Sequence, residues 1–123
     1  MQYIGVDIIE ISRVQEALER WGDRFLQRVY TGAELDRYRG SPASLAVRFA
    51  GKEAVWKALG TREHGIGWKD IEILAEPDGK PVVNLYGSAK EYASNIRLKE
   101  LAISLSHSRD YAVAFVVGEG IEF

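Results

Sequence analysis

The sequence predicts an α+β fold in which a mainly antiparallel sheet packs against a long central helix. The first half of the chain follows the helical period after one short extended run, whereas the second half alternates between short extended runs and a helix. Tight turns join neighbouring runs, which favours antiparallel pairing. The predicted order is β-α-α-α-β-β-α-β-β. With 123 residues, of which 46% are apolar, the chain is expected to form one domain.

The first part of the chain is predicted to contain a strand and two helical segments. Residues 3–9 form an apolar run that is expected to be a buried strand, and a helix follows with Ser12 as its N-cap. Gly22 breaks or bends this helix. Residues 31–34 have the form of a capping box, which predicts that another short helix begins there and ends near Arg39.

The strongest local signals mark the central helix. Pro42 suits the first position of a helix and Gly60 suits a C-terminal cap, so the helix between them is expected to have about 18 residues. Further on, Pro77-Asp78-Gly79 is a turn sequence that predicts a hairpin. The remaining predicted elements are strands over residues 68–74, 81–86, 101–106 and 111–117, and a helix that begins at a capping box formed by Ser88 and Glu91.

Composition excludes several classes of function. The formal charge of −2 comes from 18 acidic and 16 basic residues, which are well mixed, so no global field would draw the protein to nucleic acid or to an anionic membrane. Cysteine is absent, which excludes disulfides and thiolate metal sites. The sequence has no apolar run that could span a bilayer and no signal-peptide pattern. A cytoplasmic protein that binds neither nucleic acid nor membrane is therefore expected.

Three charged residues lie in apolar surroundings and suggest a metal site beside a phosphate. Glu53 and Lys57 are four residues apart on one face of the central helix, and Asp7 interrupts the first strand. Two carboxylates are enough to hold Mg²⁺ when water and substrate phosphate complete its octahedron, and a lysine could add a point charge to the same phosphate. Two other interpretations stay open: an exposed helical salt bridge for the Glu-Lys pair, and a helix cap for Asp7.

Other polar side chains have a plain structural interpretation as well as a functional one. His107 ends a predicted strand, where a lone histidine is commonly a structural hydrogen-bonding group, and His64 lies in a glycine-rich loop as a surface residue. Arg48 lies nearly opposite Glu53 on the helical wheel, so it would serve a different surface. The N-terminal helical region carries basic residues that form either a solvated face or a binding surface, namely Arg13, Arg20, Arg24 and Arg28.

Three motifs carry a close resemblance to the phosphopantetheinyl transferases. They are Ile-Gly-Val-Asp-Ile at residues 4–8 with Arg13 downstream, Arg-Phe-Ala-Gly-Lys-Glu-Ala-Val-Trp-Lys-Ala-Leu-Gly at residues 48–60, and Ser-Leu-Ser-His at residues 104–107. The short length and the Gly79-Lys80-Pro81 turn are similar to the compact members that act on acyl carrier proteins. The resemblance covers nearly the whole chain and implies a single transferase domain over residues 1–123 with the fold of that family.

The activity that the resemblance implies is transfer of 4′-phosphopantetheine from coenzyme A to a serine of apo-acyl carrier protein. The reaction would need Mg²⁺, would release adenosine 3′,5′-bisphosphate and would serve fatty acid biosynthesis. By this likeness Asp7 and Glu53 would hold Mg²⁺ and Lys57 would contact the pyrophosphate, so these three form the catalytic group. Either Glu53 or a metal-bound water would take the serine proton. The alternatives are a non-catalytic coenzyme A-binding module of the same fold and a plain structural trimer.

The resemblance also implies partners for the remaining candidate residues. Arg48, His107 and Gly60 would help to hold coenzyme A, and the compact members resemble homotrimers with active sites between neighbouring subunits. Similar proteins dock the acidic helix of the carrier on a basic helix, here through Arg13, Arg20, Arg24 and Phe25. The sequence departs from the family at two positions. Gly51 stands where alanine is usual and should weaken the helix by up to about 1 kcal/mol, and Arg62 replaces a loop glycine.

Overall fold

The computed structural model describes residues 2–60 and 65–121 and confirms the α+β prediction. None of the helices in these ranges is long and apolar enough to cross a membrane. In chain order the elements are β1 (Gln2–Glu10), α1 (Ile11–Trp21), α2 (Asp23–Val29), α3 (Gly32–Tyr38), α4 (Pro42–Leu59), a 3-10 turn (Trp68–Asp70), β2 (Ile71–Ala75), β3 (Pro81–Leu85), α5 (Gly87–Asn95), β4 (Leu98–His107) and β5 (Tyr111–Gly120).

The strands form two antiparallel sheets. One sheet has the order β1-β5-β4, and the other is the hairpin of β2 and β3. The predicted turn sequence makes this hairpin, since Asp78 accepts a hydrogen bond from the Lys80 amide at 3.0 Å and Gly79 has a φ of 91°. A left-handed φ of this kind favours glycine.

Helix α4 is the element that joins the two halves of the core. It begins at Pro42, with the Ser41 side chain capping the Ser44 amide, and ends at Gly60 in the left-handed conformation with a φ of 84°. Its buried residues lie on most of its circumference, because it contacts β1, β5, β4 and β2 as well as α1 and α3. A helix covered on several sides in this way positions its few polar side chains firmly.

Gly51, within α4, packs tightly against side chains of both sheets. A Cβ atom built at this position would overlap Cδ1 of Ile73 and would lie 3.3 Å from Cδ1 of Ile103. The glycine therefore weakens the helix by its own propensity but makes room for an isoleucine of β2 in the core.

Strand β1 is buried on one face, although the sequence predicted a buried strand. Asp7 and Ile9 lie on the face toward α4, whereas Ile4, Val6 and Ile8 point outward and are between 50% and 63% exposed. The prediction was wrong because an apolar run does not distinguish a strand buried on both faces from one whose outer face is apolar and uncovered in the single chain.

Two predicted helix caps are wrong. Helix α1 begins directly after β1 with Glu10 at the N-cap position, and the Ile11 amide donates to the Asp110 carbonyl at 2.8 Å. Because this bond satisfies the first amide of the helix, the helix can begin before Ser12 without a side-chain cap. Helix α5 begins at Gly87, one residue before Ser88, and its N-cap is Tyr86. The Tyr86 amide donates to the Asp70 carbonyl at 2.8 Å, which fixes the start of this helix.

The boundaries of the strands also differ from the prediction. Residues 68–70 form a 3-10 turn instead of the start of β2, while β4 begins at Leu98 and β5 ends at Gly120. Gly22, with a φ of 54° and a ψ of −131°, separates α1 from α2, so in the part of the chain that the structure describes four α-helices precede β2 in place of the predicted three.

A buried ion pair ties α3, α4 and β2 together. Lys52 and Glu34 have side chains that are 0% exposed, and the Lys52 Nζ lies 2.8 Å from Glu34 Oε1. Nζ also donates to the Trp68 carbonyl at 3.0 Å and to the Ile71 carbonyl. Glu34 Oε2 accepts the Ile73 amide at 2.8 Å. Burial lowers the pKa of the Lys52 ammonium, whereas the charge and hydrogen bond of Glu34 raise it.

Candidate active site

Strand β1 and helix α4 bring two of the predicted site residues into direct contact. The Lys57 Nζ donates to Asp7 Oδ1 at 2.9 Å and to the Val6 carbonyl at 3.0 Å. The Asp7 side chain is 18% exposed and the Lys57 side chain is 54% exposed. Asp7 therefore pairs with the helix beside it, and its side chain does not cap α1.

A cavity of about 400 Å³ lies where α1, α2, α4 and β1 meet. Asp7 and Glu53 both line it, together with Arg13 from α1. Phe25 of α2 and Phe49 of α4 form part of its apolar wall, with Ile8, Ile9, Val14 and Ala17. Two carboxylates and a guanidinium thus meet in a recess with apolar walls, where charge interactions are stronger than in open water.

The donor set of this cavity fits a magnesium ion that also binds substrate. Asp7 and Glu53 offer carboxylate oxygens, and the bond to Lys57 uses only Oδ1 of Asp7. Among residues 2–60 and 65–121 there is no group of three or more His, Cys, Asp or Glu side chains that could hold a metal by itself. Mg²⁺ commonly binds through one or two carboxylates plus substrate phosphates, whereas Zn²⁺ and Ca²⁺ need more protein ligands.

A second cavity, of about 540 Å³, adjoins the first along Phe25 and Phe49, which line both. Its other walls are Trp21, Arg24, Arg28, Val29 and Trp68. The aromatic rings pack against one another, with Phe49 and Trp68 centroids 4.7 Å apart. The basic and aromatic side chains of α1 and α2 thus surround an apolar recess beside the two carboxylates.

The other predicted site residues lie outside these cavities. Arg20 is stacked on Trp21, with Cζ 5.1 Å from the ring centroid. His107 is exposed at the end of β4, and its Nδ1 is 3.4 Å from the Ser108 carbonyl oxygen. Gly60 caps α4, and a Cβ built there would have open space around it. Arg62 and His64 lie outside the described residues.

Arg48 and Glu53 face different elements, as the helical wheel predicted. The Arg48 Nε donates to the Ile73 carbonyl at 3.1 Å, and its Cζ lies 3.6 Å from the centroid of the Tyr38 ring. Burial lowers the pKa of the Arg48 guanidinium, while the interaction with Tyr38 raises it. Arg48 thus lies against α3 and β2, and Glu53 lies against β1 and α1.

Sequence reasoning missed Lys52 and Phe49. Lys52 is adjacent to Glu53 but points into the core, and its sequence neighbours Gly51 and Glu53 gave no sign of its partner 18 residues away. Phe49 lines both cavities, and a usable signal existed, because it precedes Glu53 by four residues and so shares its face of α4.

Known proteins resemble this chain over nearly its whole length. The family model of the 4′-phosphopantetheinyl transferase superfamily matches residues 3–116. A holo-[acyl-carrier-protein] synthase of Herpetosiphon aurantiacus is 47% identical, with 98% of this chain and 100% of that protein covered. One of Dehalococcoides mccartyi is 50% identical, with 97% and 99% covered.

Solved structures agree with the sequence matches. The crystal structure of Helicobacter pylori holo-[acyl-carrier-protein] synthase in complex with coenzyme A aligns with a TM-score of 0.85 and 32% identity, covering 94% of this chain and 99% of that one. The Neisseria meningitidis enzyme aligns with a TM-score of 0.88 and 31% identity, covering 95% and 97%. With these similarities in both sequence and fold, the chain belongs to the holo-[acyl-carrier-protein] synthases of the 4′-phosphopantetheinyl transferase superfamily.

Proposed function

We propose that this protein transfers 4′-phosphopantetheine from coenzyme A to a serine of apo-acyl carrier protein, in a Mg²⁺-dependent reaction of cytoplasmic fatty acid biosynthesis. The family supports the reaction, and one geometric observation supports the site. Asp7 and Glu53 line the same cavity, and Lys57 reaches Asp7 from the solvent side of α4. This is a suitable arrangement for holding a phosphate through cations.

The step is a substitution at phosphorus. The serine oxygen forms a bond to the phosphorus of phosphopantetheine, and the bond from that phosphorus to the oxygen of adenosine 3′,5′-bisphosphate breaks. When bound, Mg²⁺ would neutralise charge on the phosphate oxygens, held by Asp7 and Glu53. Lys57 is exposed enough to turn its ammonium from Asp7 to a substrate phosphate. Glu53 is the protein group in the cavity that would accept the serine proton.

We assign the coenzyme A nucleotide to Arg48, His107 and Gly60, with the sites completed between subunits of a homotrimer. Arg48 and Glu53 lie against different elements, so the two side chains would serve different sites. Arg48 is 7% exposed, so its guanidinium would have to leave the Tyr38 ring to reach a nucleotide. The outer face of the larger sheet also supports association. It is apolar where β1 pairs with β5, through Ile4 opposite Val117, Val6 opposite Phe115 and Ile8 opposite Val113. Apolar faces of this kind usually mark an interface.

We place the carrier protein on the surface formed by α1 and α2. Arg13 lines the cavity of the two carboxylates, Arg24 and Phe25 line the adjoining one, and Arg20 lies beside Trp21. An acidic helix would meet complementary charge there and could bury an apolar side chain among the rings. Its serine would then approach the phosphorus from the side of Glu53.

The direct test is the mass of an apo-acyl carrier protein after incubation with this protein, coenzyme A and Mg²⁺. A gain equal to phosphopantetheine, absent when a chelator is added, is the expected result. Calorimetry with coenzyme A in the same buffers separates the alternatives. Binding of coenzyme A without a mass gain would indicate a non-catalytic module, and neither binding nor mass gain would indicate a structural protein.

A further inference from the structure

Strand β1 lies directly on the backbone of α4, and Gly5 is the residue at the contact. A Cβ atom built on Gly5 would overlap the carbonyl oxygen of Ala54 and would lie 2.8 Å from the amide nitrogen of Ala58. These two backbone groups belong to successive turns of the helix. Because neither can rotate away as a side chain would, any residue other than glycine would push the strand off the helix.

This contact lies next to the proposed magnesium site. Gly5 precedes Asp7 by two residues, so both are on the face of β1 toward α4, and Ala54 follows Glu53 directly. The Lys57 Nζ bonds to the Val6 carbonyl as well as to Asp7, which holds the intervening backbone against the same turn of the helix. The separation of the two carboxylates therefore depends on how closely β1 approaches α4.

We propose that Gly5 is a positioning residue for the Asp7, Glu53 and Lys57 site: its missing side chain sets the distance between the strand that carries one carboxylate and the helix that carries the other. The proposal rests on the proposed function, since it assumes that both carboxylates hold the metal. It assigns a function to a residue that touches neither metal nor substrate. Residues that orient metal ligands commonly change metal affinity by about 10- to 100-fold when they are altered.

Gly51 provides a matched control on the same helix. A Cβ at Gly51 would overlap Cδ1 of Ile73, which is the end of a flexible side chain, and its next neighbours are the side chains of Ile103 and Leu105, so none of the three nearest atoms belongs to β1. Gly51→Ala thus adds the same methyl group to the same core without touching the contact between β1 and Ala54. Both variants should be compared with the wild type at a temperature where far-UV circular dichroism shows all three to be folded.

The experiment measures Mn²⁺ binding by electron paramagnetic resonance with coenzyme A present, and the Mg²⁺ concentration at half-maximal transfer. We expect the dissociation constant for Mn²⁺ and the half-maximal Mg²⁺ concentration each to rise at least about 10-fold in Gly5→Ala. In Gly51→Ala both should stay within about two-fold of wild type. Adding Asp7→Glu to Gly5→Ala should recover part of the Mn²⁺ affinity, because the longer side chain spans the widened gap, whereas Asp7→Glu alone should lower it.

The outcomes separate the two proposals. If the wild type modifies the carrier but Gly5→Ala binds Mn²⁺ as well as wild type, or if Gly51→Ala loses as much affinity, the positioning function of Gly5 is wrong. If wild type neither binds Mn²⁺ with coenzyme A nor modifies the carrier, the proposed function itself fails. Should Gly5→Ala not fold, Ala54→Val takes its place, because Ala54 is fully buried in the turn of α4 that Gly5 contacts and added volume there must displace a neighbour, and the same losses are expected.

Discussion

Replacing Lys52 by methionine is expected to destabilise the fold, whereas the same replacement at Lys57 should leave the fold intact and stop the transfer. The two lysines belong to one helix and differ in what surrounds them. Lys52 is fully buried against Glu34, and Lys57 is 54% exposed beside Asp7. The same substitution at two positions five residues apart therefore tests a structural interpretation of Lys52 and a functional interpretation of Lys57.

The expected magnitudes follow from burial. Removing one partner of a buried ion pair leaves the other charge uncompensated, which costs about 3–5 kcal/mol. Lys52→Met would also leave the Trp68 and Ile71 carbonyls without the donor they have now. For a chain of this size that loss lowers Tm by roughly 10–20 °C. An exposed pair is worth about 0–1 kcal/mol, so Lys57→Met should lower Tm by no more than about 5 °C.

Urea unfolding and thermal melts at one fixed protein concentration measure both effects, since self-association would otherwise shift the midpoints. Lys52→Met should retain the transfer activity of its folded fraction, and Lys57→Met should lose most of its kcat/KM. The double variant Lys52→Met with Glu34→Gln should be more stable than Lys52→Met, because no buried charge is left unpaired and the glutamine oxygen can still accept a backbone amide. A loss below about 1 kcal/mol in Lys52→Met, or a larger loss in Lys57→Met, would refute this reasoning.

Four further predictions address the site and its surroundings. Asp7→Ala and Glu53→Ala should each abolish transfer with an unchanged circular dichroism spectrum, and near-normal turnover at saturating Mg²⁺ would contradict the metal assignment. Mixing Arg48→Ala chains with Glu53→Ala chains should restore part of the activity if subunits share sites, and no recovery would mean that each chain holds a complete site. Arg13→Glu and Arg24→Glu should lower kcat/KM for the carrier far more than affinity for coenzyme A, and should make this kcat/KM less dependent on salt up to about 0.5 M. If the variants and the wild type respond equally to salt, the carrier does not dock on this surface. Burial alone would raise the pKa of Glu72, but hydrogen bonds from Thr31, Tyr86 and Asn84 and the charge of Lys52 lower it. Its stabilisation is thus complete above the unfolded glutamate pKa of about 4.3 and is lost as the pH falls through the lower folded pKa, so urea unfolding should show a shallower loss in this acidic range for Glu72→Gln than for wild type.

Features that depend on local conformation were predicted well from the sequence. Thr31 and Glu34 form the predicted capping box, with the Glu34 amide donating to Thr31 Oγ1 at 3.2 Å and the Thr31 amide donating to Glu34 Oε1 at 2.9 Å. Pro42 and Gly60 stand at the two ends of α4. Each of these signals acts through φ, ψ or a hydrogen bond within four residues, so the neighbouring sequence contains the whole cause.

Features that depend on distant contacts could not be predicted. The start of α1 follows from a hydrogen bond between Ile11 and Asp110, which are far apart in the chain. At the candidate site, spacing alone put Glu53 and Lys57 on one face of a helix, but the contact between Lys57 and Asp7 required knowledge of where β1 lies on α4. The sequence predicted Glu34 as a capping residue, and no neighbouring residue indicated that its carboxylate would also neutralise Lys52.

The contact between Lys57 and Asp7 has a consequence for the order in which substrates arrive. Among residues 2–60 and 65–121, the cavity and its rim carry two negative charges, on Asp7 and Glu53, and two positive charges, on Lys57 and Arg13, so these four formal charges sum to zero. A free divalent ion would meet little net attraction there, and would have to compete with an ammonium already seated on a carboxylate. A diphosphate would draw that ammonium away, because it brings its own negative charge. We therefore expect the ion and coenzyme A to enter together as a chelate, with Lys57 acting as the resting counterion that the chelate replaces.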